Sequence, residues 1–192
     1  MDFKEKLISS FMVFEQDVDL SNPVHEIRSK SLKNFEEKGF PNKKQEAWKY
    51  TSLAKILKSD YGIFPKKEVA IELKDVQKYF LYETDTYKIV FIDGVYSPFL
   101  SKTTHDGKDI CVLSAALSKD KYKKRIKKYF NKVVPSSESL ASLNTSYTKE
   151  GAYIYIPEGI CPEDPVQIMH FSTGNQNSIW LQPRNLIIAD KG

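Results

Sequence analysis

The chain has 192 residues, 41% of them hydrophobic and 28% charged, which reads as a globular protein with room for one well-filled core or two smaller ones. No run approaches the ~20 apolar residues that span a bilayer, and the opening "MDFKEKLISSFMVFEQ" breaks its apolar positions with charges, so neither a membrane span nor a secretory leader is expected and a cytoplasmic address is. The net charge of +4 conceals a single patch: Lys119–Lys132 carries a local +7, leaving −3 for the rest, so the chain is not basic throughout.

Phe3, Leu7, Phe11 and Phe14 recur at helical spacing and predict a first helix. After "DVDLSNP", Asn22 suits an N-cap and Pro23 a first helical position, and Val24, Ile27, Ser31 and Phe35 form the stripe of a second helix ended by Gly39 and Pro41. A third helical segment is expected over "PNKKQEAWKYTSLAKIL", with Trp48 packed beside Leu53 and Ile56. Residues 87–92 read as a strand turning at Asp93-Gly94 into a second short run, because those two residues tolerate the positive φ angles of a tight hairpin.

Residues 118–133 return to helical period through Tyr122, Ile126, Tyr129, Phe130 and Val133, the remainder being mostly lysine. "VPSSESLASLNTSYTKEG" supplies turn and cap residues, and from Gly151 the period becomes two. That change places the expected boundary between a helical and mixed α/β domain, 1–140, and a second domain, 141–192. The second holds four short runs, 152–156, 166–170, 178–181 and 185–189, with Ile154 and Ile156 on one face of their strand and Tyr153 and Tyr155 on the other. Pro157, Gly159, Pro162 and Pro165 make the first connector too long and stiff for a two-residue hairpin, which favours the rungs of a parallel β-solenoid, with a sandwich edge as the alternative. Val166, Ile168 and His170 form the next matching row. Too few rungs are present to close such a stack, so the chain is expected to be a piece of a longer protein or to pair its last strands with another molecule, self-association through 178–190 included.

Several chemistries lack their signatures. The sequence has no GxxxxGK[ST] phosphate loop and no GxSxG elbow, and "HEIRS" at 25–29 lacks the second histidine of HExxH. Cys111 and Cys161, fifty positions apart, read as reduced thiols and cannot supply the four thiolates of a cluster. Cys161 reads as a small apolar residue filling a bend, His170 as a strand-end residue making a hydrogen bond, and His105 as an exposed loop residue. No catalytic, cofactor or metal residue is therefore assigned. The lysines of 119–132 read as a solvated helix face. A nucleic-acid-binding module is the alternative, although one arginine among lysines and no RNP, KH or helix-turn-helix pattern weigh against it. A β-helical carbohydrate-active protein would need carboxylates clustered on one groove, and "PEGICPED" is only a loop cluster.

Three stretches in series, "PNKKQEAWKYT" (41–51), "VFIDGVYSPFLS" (90–101) and "LNTSYTKEGAYIYIPEGICPEDPVQIMH" (143–170) followed by "QPRNLIIAD", resemble the N-terminal part of the SufB/SufD family of iron–sulfur cluster assembly subunits, on its SufD side. Pro41, Glu46, Trp48 and Tyr50 match the family's opening stretch, Gly94 its turn, and Asn144, Gly151 and Pro157 the start of its first rung. The resemblance implies an α+β chain whose N-terminal domain leads into a right-handed parallel β-helix. It also implies a non-catalytic scaffold that pairs with a SufB-like paralogue and with a SufC-like ABC-type ATPase through a C-terminal segment beyond this sequence. No nucleic acid or membrane partner is implied. This portion alone would bind no cofactor, the iron–sulfur cluster being held transiently by the complex.

Overall fold

The computed structural model describes residues 2–18, 20–64, 71–81, 86–135, 137–174 and 178–191. Helix α1 (Phe3–Gln16) opens on a capping box, in which the Asp2 carboxylate accepts the Glu5 N–H at 2.8 Å and the Glu5 carboxylate accepts the Asp2 N–H at 2.9 Å. Its buried stripe is Leu7, Phe11 and Phe14. Helix α2 (His25–Lys38) begins two residues after Pro23, with the Asn22 Oδ1 accepting the Val24 N–H at 2.9 Å. Val24, Ser31 and Phe35 are buried as the stripe predicts, and Arg28 joins them, its Nε donating to the Thr148 carbonyl at 2.9 Å.

The expected third helix is absent as such. Residues 41–58 hold two short 3₁₀ turns, Glu46–Trp48 and Ile56–Lys58, and Trp48 is half-buried while Tyr50 is 90% exposed. Pro41 and the run of lysines around it leave no continuous apolar stripe to bury, so the backbone settles for single turns. A short helix α3 (Leu73–Val76) precedes β1 (Tyr87–Ile92), which turns through Asp93 (φ 46°) and Gly94 (φ 81°) into β2 (Val95–Tyr96), the hairpin that Asp-Gly predicts.

Strand β3 (Asp109–Val112) and helix α4 (Leu113–Leu117) follow, the first inside a stretch too short to show a period. Helix α5 (Asp120–Tyr129) is shorter than its pattern: Phe130 is extended and buried, Asn131 is left-handed at φ 56°, and Val133, placed on the apolar stripe by spacing, is 92% exposed. Helix α6 (Ser139–Ser146) occupies part of what reads as turn and cap sequence. Two of its hydroxyls are satisfied inside the helix, Thr145 Oγ1 donating to the Ala141 carbonyl at 2.8 Å and Ser146 Oγ to that of Leu143 at 2.8 Å, while the Ser142 hydroxyl accepts from Asn34 of α2, so the segment can be buried despite its polarity.

The period-two region forms β4 (Ala152–Ile156), β5 (Val166–Phe171) and β6 (Leu186–Ala189). Residues 178–181 make only an isolated parallel bridge, Ile179 to Gly62. Successive strands do not stack on one another as the matching rows suggest. β5 lies parallel to β1 (Ile89↔Ile168) in the sheet β2-β1-β5, and β4 lies between antiparallel β3 (Ile110↔Ile154) and parallel β6 (Ile154↔Ile187) in the sheet β3-β4-β6. Strands from before residue 113 thus pair with strands from after residue 151.

Alternation then assigns the faces. Ile110, Ala152 and Ile154 meet Ile89 and Phe91 between the two sheets, while Cys111, Tyr153, Leu186 and Ile188 face Tyr122, Ile126 and Phe130 of the α5 region. Each fully buried Ile contributes about 1.5–3 kcal/mol. The outer face of the first sheet is covered by Val76 and Leu100, and the helices close on their own aromatic cluster of Phe11, Phe14, Phe35 and Tyr147.

Candidate functional site

Two places gather chemistry-bearing side chains. The first lies beneath the lysine-rich helix. Asp109, at the start of β3, accepts the Tyr122 hydroxyl at 2.6 Å and approaches His105 Nδ1 at 3.2 Å, Lys121 Nζ at 3.5 Å and Arg125 Nη1 at 3.8 Å. Arg125 in turn donates to the Tyr153 hydroxyl at 3.0 Å and lies 3.3 Å over the Tyr155 ring, and the Tyr155 hydroxyl donates to Asp190 at 2.7 Å. Burial pushes the Asp109 carboxyl up, but the hydrogen bonds from Tyr122 and His105 and the Lys121 charge outweigh it and hold the carboxyl below its ordinary value. The Tyr122 hydroxyl is pushed well up by burial and then by Asp109, and the Cys111 thiol is pushed up to about 11, chiefly by burial. Cys111 is therefore a neutral core filler at physiological pH. Outward from this network, Lys119, Lys121, Lys124, Lys127, Lys128 and Lys132 are exposed.

The second place is a cleft of about 280 Å³ where the helical cluster meets the hairpin and residues 180–183. Phe14, Phe91, Tyr147 and Trp180 contribute walls, and His170 stacks on Phe91 with centroids 4.7 Å apart and planes 9° from parallel. Burial of that ring face pushes the His170 pKa down, which keeps it neutral at pH 7. Glu150, also lining the cleft, is pushed up by burial despite the Ser114 hydroxyl donating to it at 3.1 Å and the charge of Lys149.

The residues weighed from sequence are scattered by the fold. His170 reaches the cleft, stacked on a ring rather than capping its strand. His105 is on a loop as expected, yet it is tied to Asp109 and Tyr122. Cys161 is exposed at the corner after β4, so it fills no bend. Trp48 lines a separate groove with Pro41, Gln45, Glu138 and Leu140. Among the described residues, no three or more His, Cys, Asp and Glu side chains converge as a metal site. Asp109 and Glu150 carry no signal in the sequence, because the hydroxyls that bond them, Tyr122 and Ser114, lie 13 and 36 positions away and leave no local pattern.

Residues 1–168 match the model of the SufBD protein N-terminal region. The chain is 23% identical over 150 residues to an iron-sulfur cluster assembly SufBD family protein of Synechocystis, covering 78% of this chain and 33% of that protein. It is 30% identical over 149 residues to one from Guillardia theta, covering 68% and 30%, and 39% identical over 67 residues to one from Staphylococcus aureus, covering 34% and 14%. The chain thus spans about a third or less of the length of these relatives.

Proposed function

Since the chain belongs to the SufB/SufD family through its N-terminal region, we propose that it is the N-terminal part of a non-catalytic scaffold subunit for iron–sulfur cluster assembly, on the SufD side of the family. The observation that carries this reading is the family match over 1–168, together with relatives whose names all state iron–sulfur cluster assembly. The geometry is compatible with a scaffold. Its titratable network ties helix α5 to a sheet, and the motifs that carry the resemblance hold backbone: Gly94 completes the hairpin, Gly151 lets two backbone segments meet, and Asn144 Nδ2 donates to the Pro183 carbonyl at 3.0 Å.

In this reading β4, β5 and β6 begin a right-handed parallel β-helix. Support comes from the parallel stacking of β6 on β4 after one circuit of 33 residues, Asn185 Oδ1 accepting the Ala152 N–H at 2.8 Å across the join. The partners are a SufB-like paralogue and a SufC-like ATPase, the latter through the remainder of a full-length subunit, with the cluster passing through the complex as cargo in the cytoplasm. Among the described residues, no helix is long and apolar enough to cross a membrane. Affinity capture of the full-length parent protein, with SufB- and SufC-like candidates from the same source, tests the proposal: both should co-purify, and recovery of neither counts against it.

A further inference from the structure

The cleft around His170 plays no part in the scaffold reading, and its charge balance says what could enter it. Two of its ionisable groups cancel, because Lys149 Nζ lies 3.5 Å from the Asp17 carboxylate at the rim. His170 is stacked on Phe91. Burial keeps the Tyr147 hydroxyl neutral, so the one remaining charge in the lining is Glu150. Its backbone is fixed, the carbonyl accepting the Arg184 N–H at 3.1 Å, and among the described residues its carboxylate has one hydrogen-bond donor, the neutral Ser114 hydroxyl. An ionised Glu150 therefore leaves the cleft net negative, because the one cation beside it, Lys149, is shared with Asp17.

The walls reinforce the same preference. Phe14, Phe91, Tyr147 and Trp180 bring aromatic rings to the lining, a kind of group that attracts cations, and Leu181 and Pro183 complete it with apolar surface. A volume of about 280 Å³ suits a compact molecule of one ring and a short arm. An anion would meet the Glu150 carboxylate. An uncharged apolar molecule would fill the space and leave the carboxylate unpaired.

We propose that this cleft binds a small organic cation with a flat apolar body, its positive nitrogen pairing with Glu150 and its body lying among the aromatic walls. The assignment is independent of the scaffold reading and could stand if that reading failed.

The chain has two tryptophans, so Trp48→Phe, remote from the cleft, leaves Trp180 as the single emitter. Phenethylamine and 3-phenylpropionate, similar in shape and opposite in charge, are the probes. Phenethylamine should change Trp180 emission saturably with a dissociation constant in the millimolar range expected of so small a ligand, and 3-phenylpropionate should bind about tenfold more weakly or not at all. In the background of Trp48→Phe, Glu150→Gln should level the two affinities. The proposal is overturned by equal affinities before that change, by no saturable response to the amine, or by a preference that survives Glu150→Gln. Far-UV circular dichroism checks folding; should Glu150→Gln not fold, the comparison of amine with carboxylate decides alone.

Discussion

Asp109 and Glu150 are two carboxylates treated oppositely by their surroundings, and each gives stability a pH dependence of its own sign. Asp109 is held below its ordinary value, so the native state binds its proton less readily than the unfolded chain. Its contribution is complete above the unfolded carboxylate range, near ~4, and is lost as pH falls through the native value. Replacing it by Asn removes the charged acceptor of Tyr122, and Asp109→Asn should lower stability by about 1–2 kcal/mol at pH 7 in urea unfolding. The difference between parent and variant should shrink below about pH 4; a gap that stays constant with pH would show that the charge is not what matters. Glu150 is pushed up by burial, so ionising it costs the native state. Glu150→Gln should therefore raise the melting temperature at pH 7 to 8, and the gain should vanish at acid pH where the parent's carboxyl is protonated. A variant less stable than the parent at pH 8 would contradict this sign.

At the scale of elements, the corner at Gly151 joins the helical part to β4. A Cβ there would lie 1.8 Å from the Arg184 carbonyl oxygen and 2.5 Å from its carbon, both backbone, so neither can swing aside as a side chain would. Gly151→Ala should cost about 1–3 kcal/mol by forcing β4 and the approach to β6 apart, read as a lower denaturation midpoint; an unchanged midpoint would show that the corner yields freely. For α5 the expectation is the reverse, since its lysines point away from the buried Tyr122 and Ile126. Replacing the exposed Lys124, Lys127 and Lys128 together, with Arg125 kept for its contacts to Tyr153 and Asp109, should leave DNA and RNA affinity weak and unchanged over a salt series, whereas a steep loss would revive a phosphate-binding role. The same elements show what the sequence makes legible. The helical period of α1, α2 and α5, the alternation of β4 and β5 and the Asp93-Gly94 hairpin follow from local spacing. Helix α6 is hidden because its hydroxyl-rich stretch reads as turns until partners inside the fold satisfy it. The Asp109 network and the cleft are equally hidden: periodicity says which way a side chain points, while Arg125 meeting Tyr153 or Ser114 meeting Glu150 depends on which strands lie side by side.

Across the whole molecule, the two sheets face each other through Ile89, Phe91, Ile110 and Ile154, and the second ends on an open strand. β4 has a neighbour on each side, β3 and β6, whereas among the described residues β6 is paired with β4 alone and forms the edge of its sheet. Leu186 and Ile188 point into the core, but Ile187 is 61% exposed, so the edge offers unpaired backbone groups beside an apolar side chain. Sheets with such an edge recruit another strand unless a charge or proline blunts it, and no proline lies within β6. In a full-length subunit, the proposed next circuit of the β-helix would take that position. The 192-residue chain by itself should therefore gain mass in light scattering as its concentration is raised. Ile187→Lys, which puts a charge on the exposed face and leaves Leu186 and Ile188 in place, should return it to a monomer with little loss of stability. A monomer mass that holds at every concentration would mean the edge is protected after all, and association that persists in Ile187→Lys would move the contact elsewhere, the exposed lysine face of α5 being an improbable place for it because like charges would meet.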